Sequence, residues 1–422
     1  MTIKLFNFEK RDIKSFITLL SGNVLSKIIL ALGTLLLAKI YGASKFGIFN
    51  AFLSLIALYP VLTSFNLENL IIKLKGSNEI RNTFNSAIFI SLFFSVLLTF
   101  ILFYLNRSNS TLNNQNFIFF LLCFVGGLLT SWTYIQSALL TKYRFFKQIS
   151  ISVLISSFFS IIAQIVLWLY LRNNQMGLIY GWIFGLSFSF AYSISISKLK
   201  LKFINTNLLK KNIKENIGIL KFAYPSDALN SIANNLLPII TIAYFSTTDV
   251  GTFALALKLI TIPLIFISSA VAKVYFQKSI RLQETSRTYL KDLTLNISKL
   301  SLAIVSIHIL LVNTIGIYFL DKLYSSADWS YLRSYLIFLS PWMIARSLVN
   351  PISTVLFTLN KNHFSFLFNI YLLLINLLAV YIGIHLKSFS HCIIFFSFGS
   401  AIGYLVLFLK IFLTLRNNER QQ

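Results

Sequence analysis

The sequence predicts an all-α, polytopic membrane protein with twelve transmembrane helices in two six-helix lobes and both termini cytoplasmic. Three observations predict it. Of the 422 residues, 56% are hydrophobic and only 12% charged, where a soluble domain is about a quarter charged. Apolar stretches of about twenty residues, enough to cross a bilayer as a helix, recur along the whole chain. Lys and Arg are dense in every second connection. A closed barrel would need polar and apolar residues to alternate, and that pattern is absent.

Taken in order, the helical stretches are 15–40, 46–65, 84–105, 117–140, 149–171, 176–197, 221–245, 250–272, 295–319, 333–358, 363–385 and 391–415. The opening segment MTIKLFNFEKRDIK is polar and basic. The apolar run after it is too long for a signal-peptide core and lacks a small-residue cleavage site, so it is expected to stay as the first membrane helix.

Placing the N-terminus in the cytoplasm leaves only Lys39, Lys45, Arg107, Arg172, Lys322, Arg333 and Lys387 in outer connections. Lys27, Lys258 and Arg346 fall inside apolar segments, and the remaining Lys and Arg all lie on the inner side. This bias accounts for the net charge of +25 without a nucleic-acid partner. Cys123 and Cys392 belong to no C-x-x-C, and the four histidines show no ligand spacing. No disulfide framework, metal site or cofactor is expected.

The longest polar connection is KLKLKFINTNLLKKNIKENIG, residues 198–218. Leu209, Ile213 and Ile217 recur at helical spacing among lysines, which predicts an amphipathic helix on the anionic cytoplasmic leaflet. The expected organisation is therefore an N-terminal lobe over 1–197, a linker over 198–220 and a C-terminal lobe over 221–422.

The two halves echo each other. At an offset of 204, YGASKFGIFNAFLSLI (41–56) lies over FSTTDVGTFALALKLI (245–260), so that Gly47 meets Gly251 and Phe49 meets Phe253. In the same register SGNVLSKII (21–29) lies over PSDALNSIA (225–233), and Asn23 meets Asp227. Six helices per half start both halves on the same side, so the repeat is parallel.

The segment GNVLSKIILALGTLLLAKIYGASKFGIFNAFLSL in helices one and two, with AYPSDALNSIANNLLPIITIAYFSTTDVGTFALALKLITIP in helices seven and eight, resembles the Wzx-type polysaccharide repeat-unit flippases. These belong to the multidrug/oligosaccharidyl-lipid/polysaccharide exporter superfamily. The resemblance implies a MATE-like fold and alternating access around a central cavity. It implies a substrate of undecaprenyl-diphosphate type, a lipid-linked oligosaccharide moved across the bacterial inner membrane for O-antigen, lipopolysaccharide or capsule synthesis. Membrane lipids and other polysaccharide-assembly membrane proteins are the implied partners. The chain departs from the family on helix seven, where Asn234 and Asn235 stand where relatives often carry a charge.

The three charges inside the membrane carry the site prediction. At 1.5 Å per residue, Lys27 lies roughly 15–18 Å deep, near the midplane of a ~30 Å hydrocarbon core. Each such cation costs ~2.5–3.5 kcal/mol if it faces lipid, so all three are expected to face a wet or protein-lined interior. Asn23 and Lys27 share one stripe; Asp227, Asn230, Ser231 and Asn234 make a polar face on helix seven; Trp342, Arg346, Asn350 and Ser353 make another on helix ten.

Two readings of Lys27 compete. It pairs with Asp227, expected to be buried, and holds the lobes in register; or it binds an anionic substrate. Three bases against Asp227, with Glu68 near the inner end of helix two, leave the interior positive either way. A diphosphate suits Arg and Lys, whereas a cation exporter should show the opposite sign. The expected substrate-binding residues are Lys27, Lys258, Arg346, Asn23 and Asn350, with Asp227 and Glu68 as charge partners or as carriers of a coupling proton or sodium ion. Trp132, Tyr134, Gln136, Gln164 and Trp342 are candidates for sugar contacts, and the six prolines for hinges.

The alternatives are an ion-coupled small-solute or drug exporter of the same superfamily and a membrane-embedded glycan polymerase. The polymerase would need catalytic residues on a large outer loop. The longest outer connections, about 106–116 and 320–332, are short and carry no acid–base cluster. The chain is therefore expected not to be an enzyme.

Overall fold

A computed structural model describes residues 10–109, 117–171, 174–197, 204–217, 221, 224–285, 287–324, 327–359 and 361–419. Among these residues the protein is helical. The helices are α1 (Lys10–Tyr41), α2 (Ala43–Ile56), α3 (Tyr59–Ser64), α4 (Leu67–Lys73), α5 (Ser77–Asn109), α6 (Phe117–Lys142), α7 (Phe146–Tyr170), α8 (Met176–Ser197) and α9 (Thr206–Glu215). They continue as α10 (Tyr224–Tyr244), α11 (Thr247–Thr285), α12 (Arg287–Leu311), α13 (Ile317–Leu323), α14 (Leu332–Val349), α15 (Val355–Thr358), α16 (Asn362–His385) and α17 (Phe389–Glu419).

Eight runs among the described residues are long and apolar enough to cross a membrane. They are Ala43–Ser64, Ser77–Leu105, Phe117–Lys142, Phe146–Tyr170, Met176–Ser197, Thr288–Leu323, His363–His385 and Phe389–Arg416. The protein is thus a multi-pass membrane protein. Large side chains such as Phe93, Phe100 and Tyr381 stand exposed, as lipid-facing residues do.

Several helices outrun the hydrocarbon layer. The 39 residues of α11 span about 58 Å at 1.5 Å each, so the segment expected over 250–272 is the middle of a longer rod. The segment expected over 46–65 is shorter as a helix than it looked: α2 ends at Ile56 and α3 restarts at Tyr59. Pro60 sits in the first turn of α3, where its missing N–H costs nothing. Phe65 (φ 53°) and Asn66 (φ 57°) are both left-handed and turn the chain into α4. Pro351 likewise opens a 3-10 turn, Asn350–Ile352, after α14 rather than kinking it from within. Pro238 and Pro341 do lie inside helices.

The chain packs into two compact units, Met1–Ile40 with Leu55–Ala228, and Tyr41–Ser54 with Leu229–Gln422. In the first unit Leu67, Leu70, Ile71, Ile80, Phe84, Ile135 and Leu139 form an apolar cluster under α4, α5 and α6. The α7–α8 hairpin is held differently, by small and polar residues that let the two backbones approach. Ser152 Oγ lies 2.8 Å from Ser189 Oγ and 3.0 Å from Ser193 Oγ. Gln164 Nε2 donates to the Leu178 carbonyl at 2.7 Å.

The amphipathic helix of the linker is α9, and protein covers part of it. Asn82 on α5 pairs with both backbone groups of Asn205: its Nδ2 donates to the carbonyl at 2.9 Å and its Oδ1 accepts from the N–H at 2.8 Å. Asn212 is buried and donates to Thr83 Oγ1 at 3.2 Å. Ile213 packs on the apolar cluster, while Lys210, Lys211 and Lys214 face outward. The apolar edge expected to meet lipid is thus partly spent on protein. Residues 198–203 and 218–220 lie outside the described residues.

In the second unit α14 and α16 pack along α17, and α11 packs on α12 and α14. The N-terminal turn of α2 also belongs here, against that of α11. A Cβ on Gly47 would collide with the Thr247 carbonyl oxygen and stand 2.8 Å from Gly251 N. A Cβ on Gly251 would collide with the Ala43 carbonyl oxygen and stand 2.9 Å from Gly47 N. Ala43 and Thr247, like Gly47 and Gly251, are 204 residues apart. The contact is reciprocal in the register read from the repeat, as a local two-fold axis requires.

Candidate functional site

The second unit contains a cavity of about 480 Å³ among α2, α10, α11, α14, α16 and α17. That lies in the ~300–1,000 Å³ range of small-molecule sites. Helical spacing builds its charged wall. Lys258 lies one turn past Ala254 on α11, and Arg346 lies four residues past Trp342 on α14; all four line the cavity. Lys258 Nζ stands over the Phe46 ring, 4.8 Å from its centroid. The Arg346 guanidinium stands over the Trp342 ring at 5.0 Å. An aromatic face thus steadies each cation. Among the described residues, no Asp or Glu lines the cavity.

Amides also line the cavity. Asn234 Nδ2 donates to the Asn230 carbonyl at 2.7 Å, and Asn235 Nδ2 to the Ser231 carbonyl at 2.8 Å. Asn376, buried on α16, donates to the Ala233 carbonyl at 2.6 Å. Asn50 and Ser54 reach the cavity from α2.

Of the predicted residues, the structure therefore brings Lys258, Arg346 and Asn350 to one cavity. Lys27, half-buried on α1, belongs to the first unit, as do Glu68 and Asp227. The side chain of Asn23 lies outside the described residues. Asp227, expected to be buried, is exposed, in line with Asn230 and Asn234 on the same helix face. Its Oδ2 accepts from Asn66 Nδ2 at 2.7 Å. Glu68, half-buried, accepts from Ser64 Oγ at 2.6 Å.

The sugar-contact candidates divide. Trp342 lines the cavity. Gln164 is buried between α7 and α8, and Gln136 donates to the Ser193 carbonyl at 3.0 Å. Trp132 packs on Phe190 and donates to the Ile88 carbonyl at 3.4 Å. These three join helices. Asn376 and Asn235 were missed; the recurrence of Asn362, Asn369 and Asn376 every seven residues along the apolar α16 was the available signal for the first.

Over residues 36–327 the chain matches the family described as "Polysaccharide biosynthesis protein". It belongs to that family. No curated protein matches it. Among solved structures, the lipid II flippase MurJ in an inward closed conformation superposes with a TM-score of 0.68 at 17% identity, covering 94% of this chain and 90% of that one. An inward-facing multidrug resistance MATE family transporter of the MOP superfamily gives 0.65 at 15% identity, covering 94% and 95%. A point mutant of the Vibrio cholerae MATE transporter VcmN gives 0.61 at 13% identity, covering 97% and 96%. The family member thus has the fold shared by MATE and MurJ structures.

Proposed function

We propose that this polysaccharide biosynthesis family member is a flippase of the Wzx type. It carries a polyprenyl-diphosphate-linked oligosaccharide from the cytoplasmic to the periplasmic face of the bacterial inner membrane by alternating access. It is a transporter and not an enzyme. The observation that carries this reading is the cavity of the second unit, in which Lys258 and Arg346 meet no carboxylate among the described residues. Such a cavity attracts an anion and repels the cations that drug exporters carry. Family membership supplies the link to polysaccharide, and the fold likeness to MurJ supports a lipid-linked substrate.

In this reading Lys258, Arg346 and Asn350 hold the anionic part of the substrate in the second unit, and Lys27 and Asn23, which belong to the first unit, are substrate-binding residues in their own right. Asp227 and Glu68 balance Lys27 or carry the coupling ion. Deleting the gene should make lipid-linked oligosaccharide accumulate on the cytoplasmic side. Lys258→Met or Arg346→Met at normal protein level should reproduce that accumulation. Export at the wild-type rate in both variants would refute the assignment.

A further inference from the structure

The cavity offers more than positive charge. On two of the residues that line it, Arg346 Nε is a buried donor and Asn376 Oδ1 a buried acceptor, and both lack a hydrogen-bond partner among the described residues. Buried polar atoms are otherwise paired in the great majority of cases. One orphan of each kind on the residues of one cavity points to a ligand with both acceptors and donors.

The amide orientations strengthen this. Asn234, Asn235 and Asn376 each donate their Nδ2 to a backbone carbonyl. A carbonyl only accepts, so the orientation of each amide is fixed, and the Oδ1 atom is the group left for other partners. Three amides, each with its oxygen as the remaining acceptor, thus line the cavity that holds two cations. An ionised diphosphate brings acceptors alone and would set its oxygens against those of the amides. A sugar ring brings hydroxyl donors for the amides. An anionic substituent on the ring would meet Arg346 and Lys258.

We infer that the cavity of the second unit is a specificity pocket for a sugar residue bearing an anionic substituent, and not the seat of the diphosphate. The inference rests on the flippase reading for the molecule to which that sugar belongs.

The test uses the full chain in lipid nanodiscs and three probes: a glucuronic-acid-containing disaccharide, the matching neutral disaccharide and inorganic pyrophosphate. Binding is read by calorimetry. The acidic disaccharide should bind at least ten-fold more tightly than either other probe. Arg346→Lys, which keeps the charge but not the guanidinium fork, should weaken it about ten-fold. Asn235→Ala, at a half-buried position, should weaken both disaccharides alike and leave pyrophosphate unchanged. Pyrophosphate binding as tightly as the acidic sugar, or no sugar binding to a folded protein, would overturn the inference. The deletion strain keeps the two readings apart. Accumulation of lipid-linked oligosaccharide without acidic-sugar binding leaves the flippase standing and removes the pocket assignment. Acidic-sugar binding without accumulation does the reverse.

Discussion

Asn66 donates its Nδ2 to Asp227 Oδ2 at 2.7 Å, tying the left-handed corner between α3 and α4 to the first turn of α10. The bond joins residues 161 positions apart, within one compact unit. Its acceptor is the carboxylate that sequence reasoning would pair with Lys27. Asn also suits the corner itself, because it tolerates a positive φ better than most residues.

This bond separates a structural role for Asp227 from a coupling role. Asp227→Asn keeps an oxygen for Asn66 and removes only the charge. Thermal melting in detergent should fall by less than about 1 kcal/mol in equivalent stability, the difference between charged and neutral hydrogen bonds. If Asp227 carries a coupling ion, transport collapses in this well-folded variant; if it only anchors the corner, transport survives. Asn66→Ala should cost about 1.5–3 kcal/mol in either case.

Lys258→Met removes a cation held in an apolar wall by the Phe46 face alone among its described contacts. Replacing such a charge by an apolar isostere is often neutral or stabilising. The variant should melt no lower than the wild type while substrate binding drops at least ten-fold. A lower melting point with unchanged binding would make Lys258 a packing residue.

Gln164→Leu tests the opposite assignment. The side chain bonds the Leu178 carbonyl inside the α7–α8 hairpin, and interhelical bonds of this kind contribute about 0.6 kcal/mol in membranes. A small drop in melting temperature with unaltered export is expected. Lost export at intact stability would return Gln164 to the list of sugar contacts.

Asn82→Ala removes both hydrogen bonds to the Asn205 backbone at the start of α9. Two such bonds contribute about 1–3 kcal/mol, and about 1.4 kcal/mol is a factor of ten in an opening equilibrium. Trypsin cleavage at Lys210, Lys211 and Lys214, followed by mass spectrometry, should accelerate about ten-fold or more. Unchanged cleavage would mean that packing of Ile213 and Asn212 alone fixes the helix.

The helical, membrane-spanning character was legible because it rests on apolar length, which a single sequence displays fully. The cationic cavity was legible in part, since Lys258 and Arg346 are costly in lipid and so advertise themselves. Asn376 did not, because an amide in an apolar helix serves as glue as readily as it serves a ligand. Gln164 and Asn376 are alike in sequence and each donates to a backbone carbonyl of another helix, and only the cavity beside Asn376 distinguishes them. The break after Ile56 was hidden for another reason. Pro60 reads as a kink inside a continuous apolar run, and the left-handed turn at Phe65 and Asn66 carries no glycine to mark it.

The reciprocal contact of Gly47 and Gly251 has a genetic consequence. Each glycine faces a backbone carbonyl supplied by the other copy of the repeat, so neither position can grow without the other segment shifting. Gly47→Ala would cost about 1–3 kcal/mol by overpacking, and no smaller side chain exists to relieve it. Second-site suppressors should then be absent at Gly251 itself and arise where the two helix starts can slide apart, beside Ser44 and Thr247, whose hydroxyls meet at 2.6 Å. Two segments that meet in this way are not free to diverge at this point.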